Sequence, residues 1–273
     1  MFRTEERNTH FRSAIGLADL IYVSTVRHVR KSHRNAVIGL AMNMMTTVIM
    51  VAAFYLMFSI LGLRGTAIRG DFILYLLSGI FLFLTHTKAV GAIMGSEGPT
   101  SAMMKHAPMN TAIAIASAAL SALYIQTLSA VLILFLVHVA WHPIEINDPI
   151  GTIGMFLLSW FSGVSVGMVF LAIKPWFPGF ASIASTVYSR ANMVASGKMF
   201  VANSMPSSML AFFDWNPLFH CIDQARGYAF INYNPHFSSV SYPLIVSITL
   251  IMLGLMGEFK ARRHASISWS AGR

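Results

Sequence analysis

Charged residues are scarce in this chain. Asp, Glu, Lys and Arg make up 11% of its 273 residues, whereas hydrophobic residues make up 56%. An ordinary soluble domain carries roughly 25% charged residues. Because so little of the chain is suited to face water, the composition argues against a soluble domain and indicates an integral membrane protein.

Cysteine is almost absent. Cys221 is the single one, which excludes an intrachain disulfide, and no Cys or His group has the spacing of a metal site. His138 and His142 are four residues apart, but Val139 stands where a zinc protease needs its Glu, and Pro143 ends the helix. We interpret the pair as interface histidines and predict no metal site.

The chain also lacks a complete phosphate-binding loop. Ser196-Gly197-Lys198 matches the end of that motif, which requires a Gly six residues before its Lys and a Ser or Thr after it. Asn192 and Met199 occupy those two positions. We therefore expect no ATP site in this chain, and if ATP is used, another polypeptide must supply the site.

Long charge-poor runs are what the chain does have. A helical membrane span needs about 20 apolar residues. Six runs are close to that length: 37–61, 72–94, 111–139, 150–173, 182–203 and 242–259. The fold class that we predict is all-α, with six transmembrane helices in one domain over residues 37–259.

The segment 205–236 is too apolar for a water-exposed loop and too interrupted for a membrane span. Pro206, Pro217 and Pro235 each prevent one continuous helix across it. Its aromatic residues suit the interface between water and lipid; they are Phe212, Phe213, Trp215, Phe219, Tyr228, Phe230 and Tyr233. We predict a re-entrant pair of short helices between transmembrane helices 5 and 6.

Basic residues collect before the first run and after the last. They are Arg3, Arg7, Arg12, Arg27, Arg30, Lys31 and Arg34, and then Lys260, Arg262, Arg263 and Arg273. Cytoplasmic flanks hold an excess of Lys and Arg, so we predict that both termini are cytoplasmic and that residues 260–273 form a basic tail. The net charge of +9 is attributed to this topology and to anionic lipid, not to nucleic acid.

Residues 1–36 are predicted to form a cytoplasmic N-terminal tail with an amphipathic helix on the inner membrane surface. Arg27, Arg30 and Arg34 share one helical face, and Ile21 and Val29 lie roughly opposite. A disordered basic tail is the alternative. Charges continue as far as Arg34, so we do not expect a cleavable signal peptide.

Small residues at helical spacing predict close helix contacts. Gly163 and Gly167 are four residues apart in the fourth run. Such a pair lets two helices approach closely. The contact is either a seam between two copies or channel halves, or packing within one subunit, and the sequence leaves both open.

Three basic residues lie inside the predicted spans. Lys88, Arg190 and Lys198 would each cost about 2.5 to 3.5 kcal/mol at a helix centre on insertion scales. Arg190 and Lys198 have a spacing that places them on one face of a continuous helix. We therefore predict that the fifth span lines a wet path, the alternative being that these side chains extend toward the headgroup layer.

A Trp-Asn-Pro-Leu-Phe-His block precedes the last run. It begins at Trp215 and is followed by Asp223 and Arg226. This block resembles the one found before the last helix in the membrane subunits of ABC-2 type polysaccharide exporters, most closely the capsular-polysaccharide branch, and the resemblance extends over nearly the whole chain. The residues that match the family motif are Trp215, Asn216, Pro217, His220, Asp223 and Arg226.

The resemblance implies a homodimeric permease that is not itself an enzyme, with a separate cytoplasmic subunit that binds ATP and Mg²⁺. It implies that residues 95–110 are a cytoplasmic loop resting on that ATPase subunit, with Glu97, Lys105 and Pro108 as its contact residues. The loop that begins at Lys174 would be the second contact.

The function that the resemblance implies is ATP-driven export of a lipid-linked polysaccharide, specifically a capsular one, across the bacterial cytoplasmic membrane. Periplasmic and outer-membrane export proteins are possible further partners. Aromatic rings and cations suit a path for an acidic glycan. The pathway candidates are Arg190, Tyr188, Lys198, Phe200, Lys88, Trp215 and Arg226.

Two other functions stay open at this point. An ABC-2 type permease with the same helices could export O-antigen, a lipid or a drug. A membrane-embedded transferase is a different class and would need acids or histidines clustered at one membrane face. The main residues of that kind are Asp214, Asp223, His220 and His236.

Overall fold

The structure is a computed structural model that describes residues 10–32, 36–62, 68, 70–96, 110–141 and 143–270. Residues 10–15, 30–32, 36 and 264–270 are described by their backbone alone. Within these ranges the chain forms helices and no β-strand. The all-helical class is therefore confirmed, and five of the helices are long and apolar enough to cross a membrane, which supports the membrane assignment.

Nine α-helices occur in the described ranges. They are α1 (His10–Ser32), α2 (Ala36–Ile60), α3 (Phe72–Met94), α4 (Thr111–Ala140), α5 (Pro149–Ile173), α6 (Pro178–Ala195), α7 (Ser207–Leu210), α8 (Pro217–Ala229) and α9 (Ser241–Ser270). The five candidate spans are α2, α3, α4, α5 and the part of α9 up to Arg263. We call the end of the molecule where α3 and α5 end and α4 begins the lower end, and the opposite end the upper end.

Short polar side chains begin several of these helices. The carboxylate of Asp148 accepts a hydrogen bond from the backbone N–H of Gly151 at 3.0 Å, and Pro149 occupies the first turn of α5. Asp71 accepts from the N–H of Ile73 in the same way at the start of α3. These caps satisfy N–H groups that a helix start leaves without partners, and they fix the first residues of α3 and α5.

The predicted fifth span differs from the observed helix. The charge-poor run was expected to continue to Asn203, but α6 ends at Ala195. The N–H of Ser196 donates to the carbonyl of Asn192, and Gly197 has a φ of 76°, a left-handed conformation that glycine adopts readily and that commonly ends helices. Lys198 therefore does not share a helical face with Arg190, and that part of the prediction was wrong.

α3 is the central helix of the bundle, and its closest partner is α5. A Cβ added to Gly163 would lie 2.9 Å from the Cβ of Ala89, and one added to Gly167 would lie 2.8 Å from the Cβ of Ile93. The two backbones can approach only because these positions have no side chain. The Gly163–Gly167 stripe is thus a contact within the chain, which decides between the two alternatives for it.

α2 packs against α3 along its upper half only. Phe54 and Phe58 are buried, and the ring of Phe58 meets that of Phe72 edge-on with the centroids 5.6 Å apart. Toward the lower end α2 diverges from α3, and a polar contact of Asn43 with Gln126 and Ser129 of α4 holds it instead. The divergence leaves a cleft between α2 and the pair α3 and α4.

At the lower end α9 is tied to the start of α4. The buried carboxylate of Glu258 accepts hydrogen bonds from the hydroxyl of Thr111 at 2.5 Å and from Nη2 of Arg262 at 2.8 Å. Arg262 also donates to Thr111 and, at 3.4 Å, to Asn110. α9 continues to Ser270, so most of the region predicted as a tail from residue 260 is helical.

Segment 205–236 and the N-terminal segment 1–36 were both predicted to contain helices outside the six spans, and both do. Segment 205–236 contains α7, of four residues, and α8, of 13 residues. α1 covers most of residues 1–36 and packs against α4 and α2. The helices themselves are observed, whereas the positions of α1, α7 and α8 relative to a membrane stay predictions.

Candidate functional site

Arg226 lies in the protein interior. Its side chain is 1% exposed. Nη1 donates to the carbonyls of Gly197 at 2.9 Å and Phe200 at 2.6 Å, and Nη2 donates to the carbonyl of Lys198 at 2.8 Å. The guanidinium also lies 4.2 Å from the ring centroid of Tyr75 on α3. We call Arg226 and these three carbonyls the arginine brace, because it holds the chain that leaves α6 against α8.

Lys198 is the second buried cation in this region. It is 2% exposed, and its Nζ has no hydrogen-bond partner among the residues that the structure describes. The ammonium lies 3.4 Å from the ring centroid of Phe83 and 5.3 Å from that of Phe54. Aromatic faces attract a cation and replace part of its lost hydration. Arg226 and Lys198, which were predicted separately as pathway residues, lie close together inside protein and not beside an open path.

Asn216 joins the start of α8 to the end of α6. Its side-chain oxygen accepts from the N–H of Leu218 at 3.1 Å, which caps α8, and Pro217 follows in the first turn. Its Nδ2 donates to the side-chain oxygen of Asn192 at 2.8 Å and to the carbonyl of Ala195 at 2.9 Å. One amide therefore both begins α8 and positions it on α6.

Asp223 binds the loop that leads to α9. It is 2% exposed, accepts from the hydroxyl of Ser238 at 2.7 Å, and accepts a short hydrogen bond from the hydroxyl of Tyr233. Burial raises the pKa of Tyr233, and the neighbouring Asp223 carboxylate raises it further. Tyr233 therefore stays protonated and remains the donor. Asp223 therefore anchors the loop between α8 and α9.

His220 and Trp215 complete the block. His220 Nε2 contacts the carbonyl of Asp214 at 2.5 Å, and Nδ1 accepts from the N–H of Ser239 at 3.1 Å. The indole of Trp215 donates to the carbonyl of Phe212 at 2.7 Å, and its own carbonyl accepts from the Tyr242 hydroxyl at 2.7 Å. Trp215 is 61% exposed. Apart from this ring, the block forms a scaffold that connects α6, α8 and α9.

Tyr188 belongs to a different polar chain. Its hydroxyl lies 2.9 Å from Nε2 of the fully buried His86, whose Nδ1 lies 2.8 Å from the hydroxyl of Ser162. The contacts link α6 to α3 and α5. Sequence reasoning missed His86 and Ser162, and the available signal was a histidine inside an otherwise charge-poor run. Tyr188 is half-buried here, so only part of its ring faces outward.

Arg190 has a different environment from the other basic candidates. It is exposed on α6, and the structure gives it no ion pair or hydrogen bond within the described part of the chain. Its neighbours on the same exposed face include Ile183, Val187 and Val194. Thr186 is exposed one turn before it. α6 therefore presents a mainly apolar face with one arginine, five residues before the end of the helix.

The remaining pathway candidates lie apart from Arg190. Phe200 is half-buried, with its ring centroid 4.8 Å from that of Phe213 and 6.3 Å from that of Phe219. Lys88 is exposed on α3 and lines the cleft beside α2 and α4. On one side of α3, His86 contacts Tyr188 of α6, whereas Lys88 lies on the other side and faces the cleft. The predicted pathway candidates therefore lie on two sides of α3 and do not form one path in this arrangement.

Of the residues predicted to contact an ATPase subunit, one is described. The Nζ of Lys174 donates to the carbonyl of Met94 at 2.9 Å. This contact places the turn after α5 beside the end of α3, where segment 95–110 begins. Glu97, Lys105 and Pro108 lie outside the described residues.

The region around Arg226 and α6 is the candidate site, because it holds most of the polar side chains singled out from the sequence. Within the described ranges, no three His, Cys, Asp or Glu side chains are grouped in a way that could hold a metal ion. The arrangement offers cations, aromatic rings and hydroxyl groups, which suit binding of an anionic or sugar ligand. Compared with protein-family models and with curated proteins, the chain shows no match to either.

Proposed function

We propose that this chain is the permease subunit of an ATP-driven ABC-2 type transporter that exports a lipid-linked polysaccharide, most specifically a capsular one, across the bacterial cytoplasmic membrane. The family resemblance of the block from Trp215 to Arg226 supports the class. The five apolar helices and the buried polar connection after α6 are compatible with a membrane path.

The observation that carries the proposal is the exposed face of α6. In a membrane, Arg190 on this face would meet lipid if the chain were alone, at a cost of about 2.5 to 3.5 kcal/mol on insertion scales. A water-filled path, or a second copy of the chain, removes that cost. We therefore assign this face to the substrate path of a homodimer, with Arg190 and Tyr188 as the residues that meet the polymer.

In this proposal α6 is the fifth of six crossings, even though it is shorter and more polar than the others. α7 and α8 form the re-entrant pair, and residues 196–198, 201 and 202 of the irregular chain after α6 are buried in protein, where irregular backbone is tolerated in a membrane. The arginine brace supports this reading, because it supplies donors to three carbonyls that lipid could not satisfy. Both termini and the lower end then face the cytoplasm.

A separate ATPase subunit would bind ATP and Mg²⁺ and dock at the lower end. The hydrogen bond from Lys174 to Met94 joins the turn after α5 to the end of α3, where segment 95–110 begins. This contact supports one shared docking surface formed by the two proposed coupling segments. The tie between Glu258 and Thr111 attaches α9 to the end of the first segment. Movement of the ATPase subunits would reach the α6 face through α3 and α5.

Arg226 and Lys198 have a supporting role in this proposal. Their burial and the contacts of the arginine brace argue against direct contact with the polymer. They are positioning residues that fix where α6 ends.

The test is complementation of a strain that lacks the gene and has no second exporter. Wild type, Arg190→Gln and Arg190→Lys are expressed at matched membrane levels, with Ile183→Leu on the same exposed face as the control. We expect polysaccharide to accumulate inside cells that carry Arg190→Gln, Arg190→Lys to restore export at least in part, and Ile183→Leu to export normally.

Normal surface polysaccharide in the strain without the gene would overturn the function. Intracellular polymer in that strain combined with normal export by Arg190→Gln would leave the function in place and overturn the assignment of the α6 face. The two failures are therefore distinguishable in one set of strains.

A further inference from the structure

The cleft beside α2 is not used by the proposed substrate path. It has a volume of about 860 Å³ and is lined by residues of α1, α2, α3 and α4. Its space arises from small residues, since Gly39, Gly91, Ala92, Gly95 and Ala122 all line it. The aromatic contacts of Phe54 and Phe58 hold only the upper half of α2 against α3, so the lower half stays apart.

Lys88 is the one Lys or Arg among the described residues that line this cleft. Lys88 is exposed, and within the described residues no hydrogen bond or ion pair involves it. Among the described residues that line the cleft there is no Asp or Glu. Within this described lining, the Lys88 ammonium has no counter-ion.

Two amide side chains that line the cleft, Asn43 and Gln126, are already hydrogen-bonded within the chain. Nδ2 of Asn43 donates to the side-chain oxygen of Gln126 at 3.2 Å and to the hydroxyl of Ser129 at 2.8 Å. Nε2 of Gln126 donates to the carbonyl of Leu84 at 3.5 Å. This network contacts α3 at Leu84, and Lys88 lies one turn nearer the lower end. The unmet charge is therefore at the lower, cytoplasm-facing part.

The walls on either side of Lys88 are largely apolar. Val37 and Leu40 of α2 and Ile125 and Leu128 of α4 are among the apolar residues that line the cleft. Lys88 is six residues before the end of α3, or about 9 Å along the helix axis. A lysine at that depth can extend its ammonium toward the headgroup layer while its stem stays in apolar surroundings. The cleft therefore combines a positive charge near the headgroup layer with apolar walls, and this arrangement complements a negatively charged amphiphile.

We propose that this cleft binds an anionic phospholipid from the membrane leaflet at the lower end. The phosphate contacts Lys88, and an acyl chain lies between α2 and α4 where α2 diverges. The apolar walls favour a lipid over a soluble anion, because a free phosphate gains nothing from them. This site is on the opposite side of α3 from His86 and Tyr188, and it does not depend on the transport function.

Lipid retention tests the proposal. The full chain is reconstituted into nanodiscs with equal amounts of phosphatidylglycerol and phosphatidylcholine of identical acyl chains, and the lipid carried by the released protein is counted by native mass spectrometry. We expect wild type to retain phosphatidylglycerol preferentially. Lys88→Gln should reduce that preference about fivefold, which is the effect of roughly one favourable charge contact, and Lys88→Arg should keep it.

A second pair of variants tests the cleft itself. A Cβ added to Gly91, which lines the cleft, meets nothing within 4 Å, and the same holds for Gly154 on the exposed side of α5. Gly91→Phe should fill the cleft and displace the lipid, whereas Gly154→Phe is the matched control that leaves it bound. Lys260→Gln, at an exposed cation of α9, is the control for charge. Thermal unfolding of each variant confirms that it is folded.

Equal retention of the two lipids by wild type would overturn the proposal. So would Lys88→Gln behaving like Lys260→Gln, or Gly91→Phe retaining as much lipid as Gly154→Phe. Protein purified directly from cells supplies the last comparison. A glycolipid found there in place of a phospholipid, and lost in Lys88→Gln, would overturn the assignment to a membrane phospholipid.

Discussion

Arg226 and Arg190 are both arginines within the apolar part of the chain, but their environments are opposite. Arg226 is 1% exposed and donates to three backbone carbonyls. Arg190 is exposed, and no partner is found for it within the described ranges. A buried arginine whose bonds are made within its own chain stabilises the fold. An unpartnered arginine on a helix face is available to something outside that chain.

The comparison extends to the residues around each arginine. Asn216, Asp223 and His220, which are near Arg226 in the sequence, each make two or more hydrogen bonds to the chain. The exposed neighbours of Arg190 on α6 are mainly apolar. We therefore expect substitutions around Arg226 to lower the free energy of unfolding and a substitution at Arg190 to change export alone.

The largest expected effect is that of Arg226→Met. The substitution leaves the carbonyls of Gly197, Lys198 and Phe200 without their donor, at roughly 1 kcal/mol or more for each buried group. We expect the free energy of unfolding to fall by at least about 3 kcal/mol, measured by denaturant or thermal unfolding of the purified protein. Arg226→Lys, which keeps the charge, should lose less. Equal stability of Arg226→Met and wild type would contradict the brace.

Asn216→Ala should have the next largest effect. It removes the cap of α8 and the two donor contacts to α6, for a combined loss of about 2 kcal/mol. The measurement is the same unfolding assay. The control is Asn203→Ala, which changes an exposed asparagine whose side chain bonds to the backbone of Asn234 and His236 in the loop before α9. A variant as stable as the Asn203→Ala control would show that α8 does not depend on this amide.

A smaller effect is expected from two glycines of α3. A Cβ at Gly79 would lie 2.9 Å from the Cβ of Lys198 and 3.0 Å from Nη2 of Arg226, whereas one at Gly91 meets nothing within 4 Å. Both changes to Ala gain the same helix propensity. Gly79→Ala should therefore be less stable than Gly91→Ala by about 1 kcal/mol, because it overpacks the arginine brace. Indistinguishable unfolding curves would mean that the brace moves aside without strain.

The smallest effect on stability is expected at Arg190. Arg190→Gln changes an exposed side chain without described partners, so the free energy of unfolding should stay within about 0.5 kcal/mol of wild type. The same variant should lose export in the complementation assay. If unfolding and export fall together, Arg190 stabilises the fold, and the distinction from Arg226 is wrong.

Much of the helical layout was predictable from local sequence. Charge-poor runs located α2, α3, α4 and α5 because membrane helices need continuous apolar length, and the prolines of segment 205–236 correctly excluded one continuous helix there. The end of α6 was missed because the low charge of residues 182–203 does not show where a helix ends within them. Gly197 adopts the left-handed conformation that ends a helix, and only the structure shows it.

The environment of each basic residue could not be predicted in the same way. Arg226 follows α6 by about 30 residues in the chain, and only tertiary contacts bring it to the carbonyls of residues 197, 198 and 200. The contact of His86 with Tyr188 likewise joins residues 102 positions apart. Hydrophobic patterns give the length of a helix and its apolar content, but a partner from a distant helix decides whether a charge is satisfied.

Cys221 provides a way to follow these contacts in the unmodified chain. It is fully buried in the cluster that includes Leu218 and Ile222, so a thiol reagent reaches it only when α8 leaves its place. The rate of alkylation therefore reports opening of this region, in the manner of hydrogen exchange. Single cysteines introduced at exposed positions such as Ile60 or Trp141 should react at once with reagent on their own side of the membrane. Topology can thus be mapped without first removing the native thiol.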